Sequence, residues 1–135
     1  MASFTKIHSF VEKLTEKTFN LQTDTLKVAL TNTAHTSTWS QLSDLTEVSY
    51  TNLSSRDVTV SSSAQTAGTY KLVLADLILT ASGAVGPFRY VYLYSDTATN
   101  KELIGYYDYA SAITMASTDT FTIDFDGSAG ALTVA

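Results

Sequence analysis

Residues 88–94 read Phe-Arg-Tyr-Val-Tyr-Leu-Tyr, a run in which large side chains occupy every second position. Successive side chains of a β-strand point to opposite faces of a sheet. The run therefore predicts a strand with one ring-bearing face and one mixed face. The first face would carry Phe88, Tyr90, Tyr92 and Tyr94, and the second would carry Arg89, Val91 and Leu93.

Further strands are predicted on the carboxyl-terminal side of this run. Residues 83–87 and 95–101 are rich in turn-forming residues, and residues 102–109 form a strand that contains Gly105. A glycine inside a strand indicates a bulge or the close approach of another chain. Residues 120–126 alternate cleanly, residues 127–130 form a turn, and residues 132–134 form a last short strand.

The amino-terminal side of the run also contains strand signals. Residues 70–80 are nearly continuously apolar, which predicts a strand buried on both faces, and residues 26–30 alternate. Residues 31–67 form a long polar segment, with one helical turn predicted near residues 41–45 and a short strand at Val58 and Val60. Such a segment is uncommon inside a compact domain unless it serves as a contact loop or an arm.

The first residues of the chain follow a different period. Apolar side chains recur at spacings of three and four, which is the pattern of an amphipathic helix, and Ser3 is placed to cap it. The pattern predicts the only helix of the chain, from about residue 3 to residue 16. Its apolar stripe consists of Phe4, Ile7, Phe10, Val11 and Leu14.

These signals together predict an all-β protein of one domain over residues 1–135, with an N-terminal helix within residues 1–17 and a β-sandwich over residues 18–135. We expect an antiparallel β-sandwich or jelly roll of about eight strands, because strand signals recur roughly every ten residues without intervening helices.

Composition excludes several classes of protein. The 135 residues include 22 Thr, 16 Ser and no Cys, only 16% are charged, and the net charge is −5. Disulfides and thiolate metal sites are impossible without Cys, and a basic nucleic-acid footprint is absent. We expect no signal peptide and no membrane span, because no uncharged apolar run approaches the ~20 residues that a spanning helix needs.

The sequence contains no recognisable catalytic motif. His8 and His35 are not spaced as a metal-binding pair, and no Gly-x-Ser-x-Gly element occurs. The run Asp124-Phe125-Asp126-Gly127 begins like a calcium loop but lacks the further ligands. We therefore expect no enzyme, no catalytic residue, no metal and no cofactor, with a hydrolase acting on an envelope polymer as the weakest alternative.

Four stretches carry a family resemblance. They are residues 23–31 (TDTLKVALT), 86–94 (GPFRYVYLY), 103–109 (LIGYYDY) and 121–125 (FTIDF). In this order, after an N-terminal helix, they resemble small virion structural proteins of tailed bacteriophages, over about residues 4–135. The motifs are structural rather than catalytic.

The resemblance implies a role in an assembly. Some proteins of this group are jelly-roll capsid cement, or decoration, proteins, which bridge neighbouring major-capsid subunits and commonly form homotrimers. It implies a place on the capsid exterior after synthesis in the bacterial host cytoplasm, with the major capsid protein as partner and neither nucleic acid nor membrane bound. The alternative is a tail or head-fibre component that binds host surface glycan, since Tyr-rich rows suit both sugar stacking and protein interfaces.

Candidate contact residues come from the helix and from the polar segment. The apolar stripe of the helix either packs on the chain's own sheet or contacts a neighbour, and Trp39, isolated among polar residues, is either an interface anchor or a core residue. The candidate interface residues are Phe4, Ile7, Phe10, Val11, Leu14, Trp39 and Tyr50.

Overall fold

The computed structural model describes residues 2–135, which are mostly β-structure, with 48% strand and 8% helix. A single α-helix, α1 (His8–Thr15), and one turn of 3-10 helix (Leu42–Asp44) interrupt the strands. Ten strands are present within the described residues, where about eight were expected. They are β1 (Phe4–Lys6), β2 (Leu26–Thr31), β3 (Asp57–Val58), β4 (Val60–Thr66), β5 (Thr69–Leu74), β6 (Leu77–Thr80), β7 (Val85–Ser95), β8 (Leu103–Met115), β9 (Thr120–Ile123) and β10 (Leu132–Val134).

The strands form three antiparallel sheets. The largest has the order β1-β8-β7-β2-β3, and its two longest strands, β7 and β8, lie side by side in the middle. A three-stranded sheet has the order β10-β5-β4, and β6 pairs with β9. The strand predicted at residues 26–30 is confirmed by β2. The strand predicted over residues 120–126 ends at Ile123, although Phe121, Ile123 and Phe125 all face the core.

The prediction of one strand over residues 70–80, buried on both faces, is wrong. The chain leaves the three-stranded sheet after β5 and enters the β6–β9 sheet, so two short strands replace one long one. The break falls at Ala75, whose N–H donates to the Thr59 carbonyl, and Asp76, whose carboxylate accepts from the Phe125 N–H at 3.0 Å. Asp76 is the charged residue that interrupts the apolar run, and Ile78 beyond it is 59% exposed.

The predicted helix over residues 3–16 is wrong in its first turn, because residues 4–6 form β1. This strand pairs with residues 105–107 of β8, and the N–H of Ile7 then donates to the Ile104 carbonyl at 3.0 Å. Ile7 keeps extended backbone angles and directly precedes the helix. The apolar residues spaced three and four apart are therefore divided between β1 and α1 instead of lying on one helix.

The tyrosine strand β7 is longer and less regular than predicted. The Phe88 ring contacts Phe121 at 5.4 Å between centroids, whereas Tyr92 stacks on Tyr106. The register of β7 against β8 shifts between Phe88 and Tyr90, which moves Phe88 to the opposite face from Tyr92. Both faces of β7 are buried along most of its length, and its side chains form the centre of the apolar core.

Candidate interaction surface

Aromatic side chains from three segments meet on one face of the five-stranded sheet. Tyr90 and Tyr92 come from β7, and Tyr106 comes from β8, where it lies directly opposite Tyr92 in the register. The rings of Tyr92 and Tyr106 stack at 5.2 Å with an angle of 25° between their planes. Because strand side chains alternate, Tyr107 faces the opposite side, where it contacts Phe125.

The polar segment supplies the remaining rings. His35 stacks on Tyr106 with centroids 4.3 Å apart, and its Nδ1 lies 2.7 Å from the Tyr92 hydroxyl oxygen. Trp39 meets the edge of His35 at 5.7 Å and contacts Tyr92 at 5.9 Å. These five residues, His35, Trp39, Tyr90, Tyr92 and Tyr106, are called the aromatic face below.

The aromatic face has a buried layer and an accessible layer. Tyr92 is fully buried and Tyr90 is nearly so, while His35, Trp39 and Tyr106 are each partly exposed. The inner tyrosines therefore fix the position of the outer rings.

A bidentate ion pair lies beside the rings. The Arg89 guanidinium donates to both carboxylate oxygens of Asp108 at 2.7 and 3.0 Å, and it lies 5.2 Å from the Tyr90 ring centroid. These hydrogen bonds lower the pKa of the Asp108 carboxyl, and the Ala110 N–H adds to the effect. The pair thus gives the aromatic face a polar border with both charges held in place.

The histidine at the centre of the aromatic face is held neutral. Burial lowers the pKa of His35 below its ordinary value of 6.5, and the nearby His8 lowers it further. Burial also raises the pKa of Tyr92, so its hydroxyl keeps its proton. With the imidazole proton on Nε2, the Tyr92 hydroxyl donates to Nδ1 of His35.

Two of the candidate contact residues from the N-terminal stripe lie in the core. Ile7 and Phe10 are each 1% exposed, and the Phe10 ring packs on Phe19 at 5.2 Å. For these two residues, packing within the chain's own core is therefore the alternative that accounts for their burial. Val11, by contrast, is 55% exposed on the outer side of α1.

Phe4 and Leu14 are partly buried. The Phe4 ring covers Gly105 and meets Tyr107 edge-on at 5.3 Å, so the segment that approaches this glycine closely is β1 of the same chain. The register of β8 against β7 also shifts here, between Leu93 and Tyr94, as expected of a bulge. Leu14 lines an open groove of about 730 Å³ between the end of α1 and strands β4 and β5. Both residues also pack against the chain's apolar core.

Tyr50 fastens the polar segment to β2. Its hydroxyl donates to the Glu47 carboxylate at 2.7 Å and accepts from the Leu30 N–H at 2.9 Å. The Arg56 guanidinium lies 3.7 Å above its ring and donates to the Val28 carbonyl. Both the ring face and the hydroxyl are therefore engaged within the chain, which makes Tyr50 an internal anchor.

Of the candidate contact residues, only Trp39 lies on the aromatic face. Sequence reasoning did not single out His35 or pair it with Tyr92 and Tyr106. The available signal was modest: His35 and Trp39 are two ring-bearing residues four positions apart in a segment otherwise poor in apolar residues. Which tyrosines they cover depends on the path of the loop, and local sequence does not determine that path.

Within residues 2–135, no group of three or more His, Asp or Glu side chains is arranged to hold a metal ion. The same residues include no helix with the length and apolar character needed to cross a membrane. Comparison of the chain with protein-family models, curated proteins and solved structures finds no match.

Proposed function

We propose that the protein is a structural component of a tailed-bacteriophage virion, a capsid cement protein that bridges and stabilises neighbouring major-capsid subunits. The four stretches that resemble such virion proteins support the virion role. The aromatic face is the structural observation that supports a binding role, because it presents fixed rings at the surface next to an ordered ion pair.

The composition of the aromatic face suits a protein contact. Trp, Tyr and Arg are the residues that most often dominate binding energy at interfaces. Here Trp39 and Tyr106 each contact both Tyr92 and His35, and Arg89 lies over the neighbouring Tyr90 ring. Their rotamers are fixed before binding, so a partner pays little for ordering them.

The proposal has three finer parts, of which the first also follows from the recurring strand signals and the other two rest on the resemblance alone. The chain would follow a jelly-roll path, would associate as a homotrimer, and would lie on the capsid exterior after synthesis in the host cytoplasm. The major capsid protein is the partner in this proposal, and neither nucleic acid nor membrane takes part.

Capsids that lack the protein provide the direct test. Purified protein should bind them at a fixed ratio, and decorated capsids should open at a higher temperature than bare capsids. Trp39→Ala and Tyr106→Ala should each weaken binding by about tenfold or more, the range of interface hot spots. Ile78→Ser, at an exposed residue of the separate β6–β9 sheet, is the matched control and should bind normally.

One result would contradict the cement role, and another would contradict the assignment of the contact to the aromatic face. The first is unchanged capsid stability with or without the protein. The second is full capsid binding by the Trp39 and Tyr106 variants, which would move the contact to another surface. Circular dichroism of each variant shows whether it is folded before binding is interpreted.

The second candidate function is binding of host surface glycan by a tail or head-fibre component. The observation in its favour is the same set of partly exposed rings, since Trp and Tyr faces stack on sugars and the Arg89–Asp108 pair offers hydrogen-bonding groups. A glycan array separates the two functions. A saccharide that binds the protein but not Trp39→Ala supports the fibre role, whereas a cement protein should show no saccharide binding.

A further inference from the structure

Strand β4 has one free edge. Its residues pair with β5 on one side, and no other backbone segment within residues 2–135 bonds to residues 61–66. Most of β4 is exposed, and residues 58–70 contain no charged side chain. Natural sheets usually protect an edge with charges, Pro, bulges or a covering segment, and residues 62–66 have none of these.

The β4–β5 turn determines which backbone groups point outward. Ala67 and Gly68 have φ angles of 51° and 84° and connect the paired residues Thr66 and Thr69. In a two-residue hairpin of this type the residues that flank the turn exchange both hydrogen bonds. Hydrogen-bonded and non-hydrogen-bonded pairs alternate along antiparallel strands, so Ala64 also bonds to β5. The backbone N–H and C=O groups of Ser63 and Gln65 point away from β5.

We propose that β4 pairs with β4 of a second copy of this chain, in antiparallel orientation about a two-fold axis at Ala64. Ser63 of each copy lies opposite Gln65 of the other, and the two pairs exchange four backbone hydrogen bonds. Ala64 lies opposite its own counterpart. The two three-stranded sheets join into one continuous sheet of six strands.

A second copy fits this edge because the edge is complementary to itself. An isologous contact places the same surface on both sides, so any charge on it would face a like charge. The chain has a net charge of −5, yet the segment around β4 is neutral, and its side chains are mainly Ser, Ala, Gln and Thr. Two copies can therefore approach here without like charges facing each other across the strands.

The regular part of the edge is short, because the pairing of β4 is irregular between Val60 and Ser62 and the turn begins after Thr66. A contact of this length lies below the ~1,200 Å² of a stable interface, so we expect weak, concentration-dependent dimers. Held at high local concentration in an assembly, such a contact would be strengthened by multivalency. A two-fold contact would join copies from different trimers rather than form a trimer.

Cysteine cross-linking tests the register, since the native chain contains no Cys. In the proposed dimer, Ala64→Cys places the thiol of one copy opposite the thiol of the other. The two residues form a non-hydrogen-bonded pair whose Cα atoms lie about 4.5 Å apart, which is within disulfide range. The control is Thr66→Cys, whose counterparts would lie about 13 Å apart along the strands, too far to bridge. Under mild oxidation Ala64→Cys should form disulfide dimers at least about tenfold faster than Thr66→Cys, as measured on non-reducing gels.

A second pair of variants tests the hydrogen bonds. Ser63→Pro removes the outward N–H, while Ser63→Ala keeps it, and both lose the side-chain bond between Ser63 and Tyr70. In sedimentation experiments at rising concentration, Ser63→Ala should dimerise like the native chain and Ser63→Pro should stay monomeric. Equal cross-linking by both cysteine variants, or none by a folded Ala64→Cys protein, would overturn the proposed contact. Neither experiment depends on capsid binding.

Discussion

His35 couples the packing of the polar segment to pH. Its pKa is lowered below 6.5 in the folded protein, mainly by burial, so the unfolded chain takes up a proton at a higher pH than the native one. Stability is therefore full above about pH 6.5 and falls as the pH drops toward the folded-state pKa. We expect the free energy of unfolding in urea to fall between about pH 8 and pH 5, and His35→Gln to reduce that fall.

Two features separate this effect from other titrations. The pKa values of Asp96, Asp108 and Asp126 are lowered from 3.8 by hydrogen bonds, so the stability that these carboxylates contribute is lost only at more acid pH, near and below 4. His8→Gln is the matched control and should retain most of the fall, because burial of His35 is the larger cause and is unchanged. If the free energy of unfolding of His35→Gln falls with pH as much as that of the native chain, other titrating groups cause the fall.

Gly105 is the residue at which β1 meets β8 most closely. A Cβ at this position would overlap the Phe4 ring and approach the Thr5 carbonyl at 2.7 Å. We expect Gly105→Ala to destabilise the protein by about 1–3 kcal/mol, the usual cost of overpacking. In the Phe4→Ala background the same change should cost less, because the ring is gone, although the carbonyl remains. Chemical denaturation of the four proteins measures the coupling, and strict additivity would show that the ring makes no contribution.

At the scale of elements, α1 has one buried side and one exposed side, and only substitutions on the buried side should lower stability. Phe10 and Val11 are neighbours in sequence, yet one is 1% and the other 55% exposed. We expect Phe10→Ala to cost about 3–5 kcal/mol of unfolding free energy and Val11→Ala to change it by less than about 0.5 kcal/mol. Similar losses for the two variants, measured by urea denaturation, would mean that Val11 is also buried, for instance against a second copy.

The elements that sequence predicted best are those whose pairing follows their own alternation. Residues 26–30 form a strand as expected, the strand expected over residues 120–126 forms over its first four residues, and the helical turn expected near residues 41–45 occurs at Leu42–Asp44. Predictions failed where tertiary contacts, rather than the local sequence pattern, determined the structure. Residues 4–6 join the edge of a sheet although their spacing suits a helix. The apolar run over residues 70–80 breaks at Ala75 and Asp76, where the Asp76 carboxylate accepts from the Phe125 N–H.

The aromatic face was predictable only in part. Trp39 stood out as a large ring in a polar segment, and the tyrosines of β7 were placed on a strand. Which residues they meet depends on long-range contacts, since His35 and Tyr92 lie 57 positions apart in the sequence. The shift in register between Phe88 and Tyr90 is likewise set by pairing with β8, which alternation alone does not reveal.

At the scale of the whole molecule, the three sheets share one core. Over residues 2–135 the chain changes sheet five times, between β3 and β4, β5 and β6, β6 and β7, β8 and β9, and β9 and β10. Buried side chains from all three sheets and from α1 form one apolar cluster, which includes Phe10, Val28, Leu72, Phe88 and Ile123. Loss of one sheet would therefore expose the core faces of the other two, and this favours unfolding in a single step.

The single tryptophan offers a direct check of that cooperativity. Trp39 packs on Tyr92 at the centre of the five-stranded sheet, so its fluorescence reports on the aromatic face, while far-UV circular dichroism reports on all strands. We expect the two signals to give the same urea midpoint and the same slope, as a two-state transition requires. Tyr50→Phe should lower both midpoints together, because the loss of its hydroxyl leaves the Leu30 N–H without that partner and frees Glu47. If fluorescence instead changed at lower urea than circular dichroism, the polar segment would detach before the sheets unfold, and the aromatic face would be an independently unfolding unit rather than part of the core.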